Sequence, residues 1–284
     1  MGGTLAAAAG TVTLGGDLTI NRLGFGAMRL CGPGIWGEPD DPQGALDVLR
    51  RAVDLGVQLI DTADAYGPEV NERRIAAALH PYPDGLVIAT KGSGTRSSKE
   101  RWGTDGRPEH LKEACEASLR RLRLPRIDLY QLHGIDPSVP VEESIGALAD
   151  LQAQGKIRHI GVSNVDTDEL DRARRVTDIA SVQNAYNVAD RASDEVGAAC
   201  ERDGIVFLAY FPIGAGWRAT APPESLQRVA HRHSATPEQV ALAWLLHRSP
   251  AIVPIPGTSS PAHLEENVAA ARLDLDAEDL AVLG

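Results

Sequence analysis

Residues able to move a proton and hold a carbonyl group end several of the apolar runs in this chain. Asp61 follows Gln58-Leu59-Ile60, Lys91 follows Val87-Ile88-Ala89-Thr90, and His133 follows Leu129-Tyr130-Gln131-Leu132. Tyr66 lies just beyond Asp61 and is followed by Gly67-Pro68. A lysine closing an apolar run is hard to explain structurally, because a buried ammonium needs a carboxylate or must lose its proton. Asp61 is the natural partner. A phenol has an ordinary pKa of about 10, and a neighbouring ammonium lowers it toward a range where proton exchange is feasible. Tyr66 with Lys91 would thus donate a proton to a developing alkoxide, and a neutral His133 imidazole would orient or polarise the carbonyl oxygen. A lone strand-end Asp is as readily a helix cap, and a lone His after Leu is more often structural. The gathering of such residues is the signal. What it lacks is a source of hydride.

For these residues to meet, the elements carrying them must converge. Strand-like runs fall at Leu23–Met28, Gln58–Thr62, Leu86–Lys91, Ile127–His133, His159–Asn164, Ser181–Tyr186, Val206–Phe211 and Ile252–Ile255. Between and after them, helical periodicity runs through Gln43–Leu55, Val70–Leu79, Pro108–Leu122, Val141–Gln154, Asp168–Val176, Ala192–Asp203, Thr236–Arg248 and Pro261–Ala271. Gly56 and Gly155 follow helix ends, Pro108, Pro237 and Pro261 stand at helix starts, and Asp276 would cap an extra C-terminal helix. Thr11–Leu14 and Leu18–Ile20 flank Gly15-Gly16-Asp17, the pattern of a β-hairpin that would plug a barrel bottom. The strict βα alternation predicts an α/β fold, a (β/α)8 TIM barrel forming one domain over residues 1–284. No Gly-x-Gly-x-x-Gly follows an early strand, as a Rossmann fold would require. In such a barrel the C-terminal strand ends share one mouth, so Ser163-Asn164, Gln183-Asn184 and Tyr210 join the first group there. The long segments Gly92–Arg107 and Pro212–Pro223 are candidate substrate gates on the same face.

Composition narrows the function. With 43% hydrophobic and 24% charged residues the chain is that of a globular protein. A net charge of -11 without a dense basic run argues against nucleic acid as a partner. No apolar stretch is long enough to span a bilayer, Met1–Gly10 makes a poor signal peptide, and Cys31, Cys115 and Cys200 are widely spaced. The expectation is a cytoplasmic protein with reduced thiols. Metal-dependent hydrolysis is disfavoured: His231 and His233 point to different sides of a helix, and no strand-end His-x-His precedes a carboxylate set. No metal is expected.

One family carries these features in this order. Asp61-Thr62-Ala63 with Tyr66-Gly67, Lys91, Leu132-His133, Gly161-Val162-Ser163-Asn164, Gln183-Asn184-x-Tyr186-Asn187, Ile255-Pro256-Gly257 and Glu266-Asn267 closely resemble the aldo-keto reductases, from about Gly24 to the C-terminus. Each motif is weak alone; the ordered set is specific. The resemblance implies hydride transfer from a nicotinamide to an aldehyde or ketone, with Tyr66 as general acid, Lys91 lowering its pKa, Asp61 pairing with Lys91 and His133 orienting the carbonyl. It implies that Ser163, Asn164 and Gln183 hold the nicotinamide carboxamide and that Tyr210 stacks on the ring. It places Gly26, Met28, Phe211 and Pro212 against the cofactor, and Gly257, Thr258, Ser259, His263, Glu266 and Asn267 at its adenosine end.

The sequence also departs from the family pattern. Gly257 and His263 stand where a Lys and an Arg often meet the 2′-phosphate, a departure that speaks for NADH as the alternative; NADPH, the cofactor the resemblance implies, remains the expected one. Gly134-Ile135-Asp136 replaces a common Trp-Pro. Trp36, Trp102 and Trp217 fall in loops of the active face, where they would wall an aromatic or apolar pocket for a small-molecule carbonyl substrate. Gly26-Ala27-Met28-Arg29-Leu30 with Gly32-Pro33-Gly34-Ile35-Trp36-Gly37 looks like a bacterial branch that includes pyridoxal reductases, which implies reduction of pyridoxal to pyridoxine. The alternative from another class is a cofactor-binding regulatory protein with little turnover. The complete group Asp61, Tyr66, Lys91 and His133 argues against it.

Overall fold

All eight apolar runs form strands in the computed structural model, which describes residues 3–214 and 222–284. Chain order begins with the hairpin β1 (Thr11–Leu14) and β2 (Leu18–Asn21) and continues to the first two barrel strands, β3 (Phe25–Gly26) and β4 (Leu59–Asp61). After β5 (Val87–Gly92) comes a second hairpin, β6 (Gly94–Arg96) and β7 (Trp102–Thr104), and then β8 (Ile127–Leu132). The barrel is completed by β9 (Ile157–Ser163), β10 (Ser181–Ala185), β11 (Val206–Tyr210) and β12 (Ile252–Pro254). The parallel sheet runs β3-β4-β5-β8-β9-β10-β11-β12. It closes where Gly24 N–H donates to the Pro254 carbonyl (3.0 Å) and Gly26 N–H to that of Pro256 (3.1 Å). A Cβ on Gly26 would come within 2.8 Å of the Ile255 carbonyl oxygen, so the seam needs a glycine there.

Helices cover the outside of this sheet. They are α1 (Pro42–Asp54), α2 (Val70–Leu79), α3 (Pro108–Leu122), α4 (Val141–Ala153), α5 (Thr167–Arg174) and α6 (Asp194–Asp203), followed by α7 (Glu224–His233), α8 (Pro237–Arg248), α9 (Pro261–Ala269) and α10 (Ala277–Leu283). Local chemistry sets their starts. Pro108, Pro237 and Pro261 occupy first turns, where a missing N–H costs nothing, and Thr236 with Gln239 and Asp276 with Asp279 form capping boxes. The extra C-terminal helix begins at the expected cap.

Side-chain parity divides the interior. Along each strand alternate residues face the barrel axis, and Leu59, Val87, Leu129, Val206 and Val253 meet there in one buried cluster. Leu14 and Ile20 of the first hairpin belong to the same cluster, so the hairpin fills the barrel bottom as expected. Asn21 fastens it: its backbone N–H donates to Gln58 Oε1 (3.1 Å) and its side-chain amide to the Gly56 carbonyl (2.8 Å).

Three local expectations are corrected. The first strand is only Phe25–Gly26 rather than Leu23–Met28, because Ala27–Leu30 winds into a 3-10 turn. The segment after β5 is not an open loop, since it carries the β6–β7 hairpin. A helix the sequence reading leaves out, α7, packs its stripe of Leu226, Val229 and Ala230 inward. Trp217 and part of the expected Pro212–Pro223 gate lie outside the described residues. Among the described residues no helix is long and apolar enough to cross a membrane.

If the hairpin is an integral plug, Leu14→Ala should destabilise the protein by about 2–5 kcal/mol, the range for emptying a fully buried leucine site. Urea unfolding should show this as a lowered midpoint, and an unchanged midpoint would mean that the barrel stands without the plug.

Candidate active site

The inward parity that begins with aliphatic residues at the barrel bottom ends in polar ones at the top. Asp61 follows Leu59 on the same face of β4, Lys91 follows Val87 and Ala89 on β5, Gln131 follows Leu129 on β8, and Gln183 follows Ser181 on β10. These side chains therefore converge above the apolar cluster.

The centre of the group is Lys91, which has no exposed surface. Its ammonium donates to Asp61 Oδ1 at 2.6 Å, to the Thr62 carbonyl at 2.9 Å and to the Tyr66 hydroxyl oxygen at 3.5 Å. Burial alone would push the Lys91 pKa down; Asp61, then Tyr66, outweighs it, so the pKa lies above the ordinary lysine value and the ammonium is retained. The other Asp61 oxygen accepts from Gln183 Nε2 at 2.8 Å and from Gln131 Nε2 at 3.2 Å. Gln131 is a member of the site that sequence reasoning missed, although its parity with Leu129 was the available signal.

Tyr66 is buried, and burial raises its hydroxyl pKa above the ordinary value while Lys91 pulls it down. The lowering expected from Lys91 alone is thus overturned, because burial prevails. The consequence is a phenol that keeps its proton at neutral pH beside an ammonium ready to stabilise the phenolate. His133 lies edge-on to Tyr66, with ring centroids 5.7 Å apart. Burial, assisted by Lys91, lowers the His133 pKa to about 3, so its imidazole is neutral. Its Nδ1 has no hydrogen-bond partner among the described residues, and a Cβ on Gly94 would lie 2.6 Å from that nitrogen.

A cavity of about 640 Å³ opens over this group and runs toward α9. Asp61, Tyr66 and His133 line it, while Lys91 stands behind them. Along its border the Tyr210 hydroxyl donates to Asn164 Oδ1 (2.6 Å), and the Asn164 amide donates to the His133 carbonyl (3.0 Å) and to Ser163 Oγ (3.1 Å). Asn164 adopts a left-handed backbone (φ 58°), which asparagine tolerates better than most residues. Gly26, Met28, Gln183, Phe211 and Pro212 also border the cavity. Toward α9 the border passes to Gly257, Thr258, His263, Glu266 and Asn267. A Cβ on Gly257 would come within 2.4 Å of the Gly26 carbonyl oxygen, so this end of the cavity needs a glycine there.

Two expected members stand apart from the cavity lining. Ser259 is exposed beside buried Thr258, and Trp36 lies on the rim with 36% of its surface exposed. Trp102 does line the cavity, edge-on to both Tyr66 and His133. Arg29 and Glu238 border it as well, and no motif in the sequence pointed to them as site residues. Among the described residues no cluster of three or more His, Cys, Asp or Glu stands close enough to hold a metal ion.

Comparison with known proteins agrees with this geometry. Residues 22–283 match the profile of the Aldo/keto reductase family. Pyridoxine 4-dehydrogenase of Escherichia coli (strain K12) is 46% identical over 281 residues, covering 96% of each chain. An uncharacterized oxidoreductase of Schizosaccharomyces pombe is 44% identical over 278 residues, covering 98% of this chain and 90% of its own. Among solved structures, an aldo/keto reductase from Klebsiella pneumoniae in complex with NADP and acetate superposes with a TM-score of 0.82 at 28% identity, covering 96% of this chain and 93% of its own.

The Lys91–Asp61 pair makes a thermodynamic prediction. Lys91→Met should cost about 3–5 kcal/mol in urea unfolding, because it strands the Asp61 carboxylate in a dry site. Adding Asp61→Asn should recover part of that loss. If the double variant is no more stable than the single one, the pair is not what organises the mouth.

Proposed function

This chain belongs to the Aldo/keto reductase family, and we propose that it reduces an aldehyde or ketone to the alcohol with a nicotinamide dinucleotide, NADPH in preference to NADH. The observation that carries this reading is the Tyr66 hydroxyl, held beside a fully buried ammonium and a neutral imidazole at the edge of an elongated cavity. The cofactor fits that cavity. Ser163, Asn164 and Gln183 offer amide and hydroxyl groups near Tyr66, and the Tyr210 ring borders the same space. Gly257 and Thr258 at the far end lie beside the start of α9, where barrels hold phosphate. When bound, the dinucleotide supplies the hydride that this chain's own residues cannot.

The protein's part is to place and protonate the carbonyl. His133, uncharged, and Tyr66 converge on one region of the cavity, so a carbonyl oxygen seated there receives hydrogen bonds without meeting a second positive charge. As hydride adds to the carbonyl carbon, negative charge grows on the oxygen and the Tyr66 proton passes to it. The phenolate left behind is stabilised by the Lys91 ammonium, which Asp61 holds in place. Water outside the cavity then returns a proton to Tyr66.

A second reading concerns the substrate. The 46% identity to pyridoxine 4-dehydrogenase, together with the segment Gly26–Gly37, favours pyridoxal as the carbonyl compound reduced.

The test is oxidation of NADPH and of NADH with 4-nitrobenzaldehyde and with pyridoxal, beside Tyr66→Phe. Turnover should fall by about 10²–10⁴-fold in the variant while NADPH binding, read by fluorescence titration, persists. Tight NADPH binding without turnover of any carbonyl compound would instead favour a regulatory protein. Good turnover of simple aldehydes with none of pyridoxal would remove the second reading.

The pH profile supplies a separate check. His133 gains its proton only near pH 3, and Tyr66, whose pKa is raised, retains its own well into the alkaline range. The reduction kcat/KM is therefore expected to be flat between roughly pH 6 and 9, without the acid-side fall that an ordinary histidine would give near 6.5. Such a fall would assign His133 a different role.

A further inference from the structure

One wall of the cavity comes from loops that the barrel sheet does not join. Residues 32–37 follow β3, Tyr66-Gly67 follows β4, and the β6–β7 hairpin follows β5. The first two are stitched by backbone: Gly37 N–H donates to the Gly67 carbonyl (2.6 Å) and Gly67 N–H to that of Ile35 (3.3 Å). The third is attached through Arg96. This residue lies directly across the hairpin from Trp102. Its guanidinium sits 3.9 Å from the Trp102 ring centroid and 5.3 Å from that of Trp36. Its N–H groups donate to the carbonyls of Ile35 (3.1 Å), Gly34 (3.1 Å), Ser98 (3.3 Å) and Lys99 (2.6 Å).

Two features show that this clamp holds something unfavourable in place. Ile35 has a left-handed backbone (φ 59°), a conformation that β-branched residues avoid, and strain of that kind persists only where the surroundings enforce it. Its carbonyl is the one gripped by Arg96 and by Gly67. Trp102 is 47% exposed although it lines the cavity within edge contact of Tyr66 and His133. An indole covered on one face by Arg96 yet half exposed beside a reaction centre keeps apolar surface for whatever enters.

We propose that Arg96 is a positioning residue for the substrate: by fixing Trp102 and Ile35 at the cavity mouth, it selects flat, uncharged aromatic carbonyl compounds over small aliphatic ones. This rests on the reductase reading above. The guanidinium has few donors left with which to bind an anionic substrate, because four of its N–H groups are engaged by backbone carbonyls and its face by rings. Lysine cannot replace it, since an ammonium has only three N–H groups for the four carbonyls and does not stack as a plane.

Arg96→Lys and Arg96→Ala in the full chain test the proposal. In both, KM for 4-nitrobenzaldehyde should rise about tenfold, the loss expected from releasing a stacked aromatic wall. Propanal kinetics and the Kd for NADPH should stay near wild type, which a general loss of structure would not allow. A fluorescence measurement decides the matter independently of turnover. Non-reactive 4-nitrobenzamide should quench tryptophan emission in the NADPH complex, and the quenching should be lost in Trp102→Phe and weakened in Arg96→Lys. An unchanged preference between the two aldehydes, or quenching in Arg96→Lys equal to wild type, would overturn the assignment even if the chain reduced no aldehyde at all. Should Arg96→Ala fail to fold, Arg96→Lys alone carries the test.

Discussion

An ammonium ion with no access to water is the constraint around which the barrel mouth is arranged. Lys91 must be compensated, and Asp61 compensates it at 2.6 Å. Asp61 is itself buried and must be compensated in turn, which brings in Gln131 and Gln183. The requirement thus spreads from β5 to β4, then to β8 and β10, and it positions side chains that are far apart in sequence. The space needed for this packing leaves its mark on the glycines. A Cβ on Gly161 would meet Ser181 Oγ at 2.3 Å and Gln131 Cγ at 2.9 Å, so bulk at that point would displace the network. Tyr66 and His133 then take their electrostatic character from where the charge is held. Burial keeps the proton on the phenol and off the imidazole, and the nearby ammonium eases loss of the first while opposing gain of the second.

The two ends of the barrel consequently do different work. At the bottom, Leu14 and Ile20 extend an aliphatic cluster that has no chemistry to perform and can be packed for stability. At the top, polar groups are tied by hydrogen bonds to each other, and the loops above them carry the strain, as at Ile35 and Phe211 with their left-handed backbones. Strain at the mouth is tolerable because the sheet below it is closed all the way round.

Much of this is legible in the sequence. The strands are found because parallel strands buried on both faces read as short continuous apolar runs, and the polar group at the mouth is legible because Asp61, Lys91 and His133 end such runs. The extra helix is announced by Asp276, whose capping box needs only local residues. What depends on distant contacts is hidden. The α7 stripe of Leu226, Val229 and Ala230 is too short to rise above its charged neighbours, and it becomes clear only when it packs. Gln131 reads as one polar residue inside a strand until Asp61 is seen beneath it. Arg96 is hardest of all, since it joins carbonyls 61 and 62 positions back in the chain to a ring on the facing strand, and no periodicity encodes such a meeting. The sequence places Ser259 and Trp36 in the cavity through their neighbours, but both side chains are exposed outside its lining.

The seam has a consequence for how the molecule comes into being. Its hydrogen bonds join residues 24 and 26 to residues 254 and 256, and the Arg22 guanidinium donates to the carbonyls of Leu246, Ser249 and Ile252. Nearly the whole barrel therefore leaves the ribosome before its first strand can meet its last. Until that moment β3 and β12 are open edges, and the loops of the mouth have no closed floor beneath them. Ring closure thus awaits the last barrel strand, and the strand-end constellation reaches its full geometry only after β12 has been made.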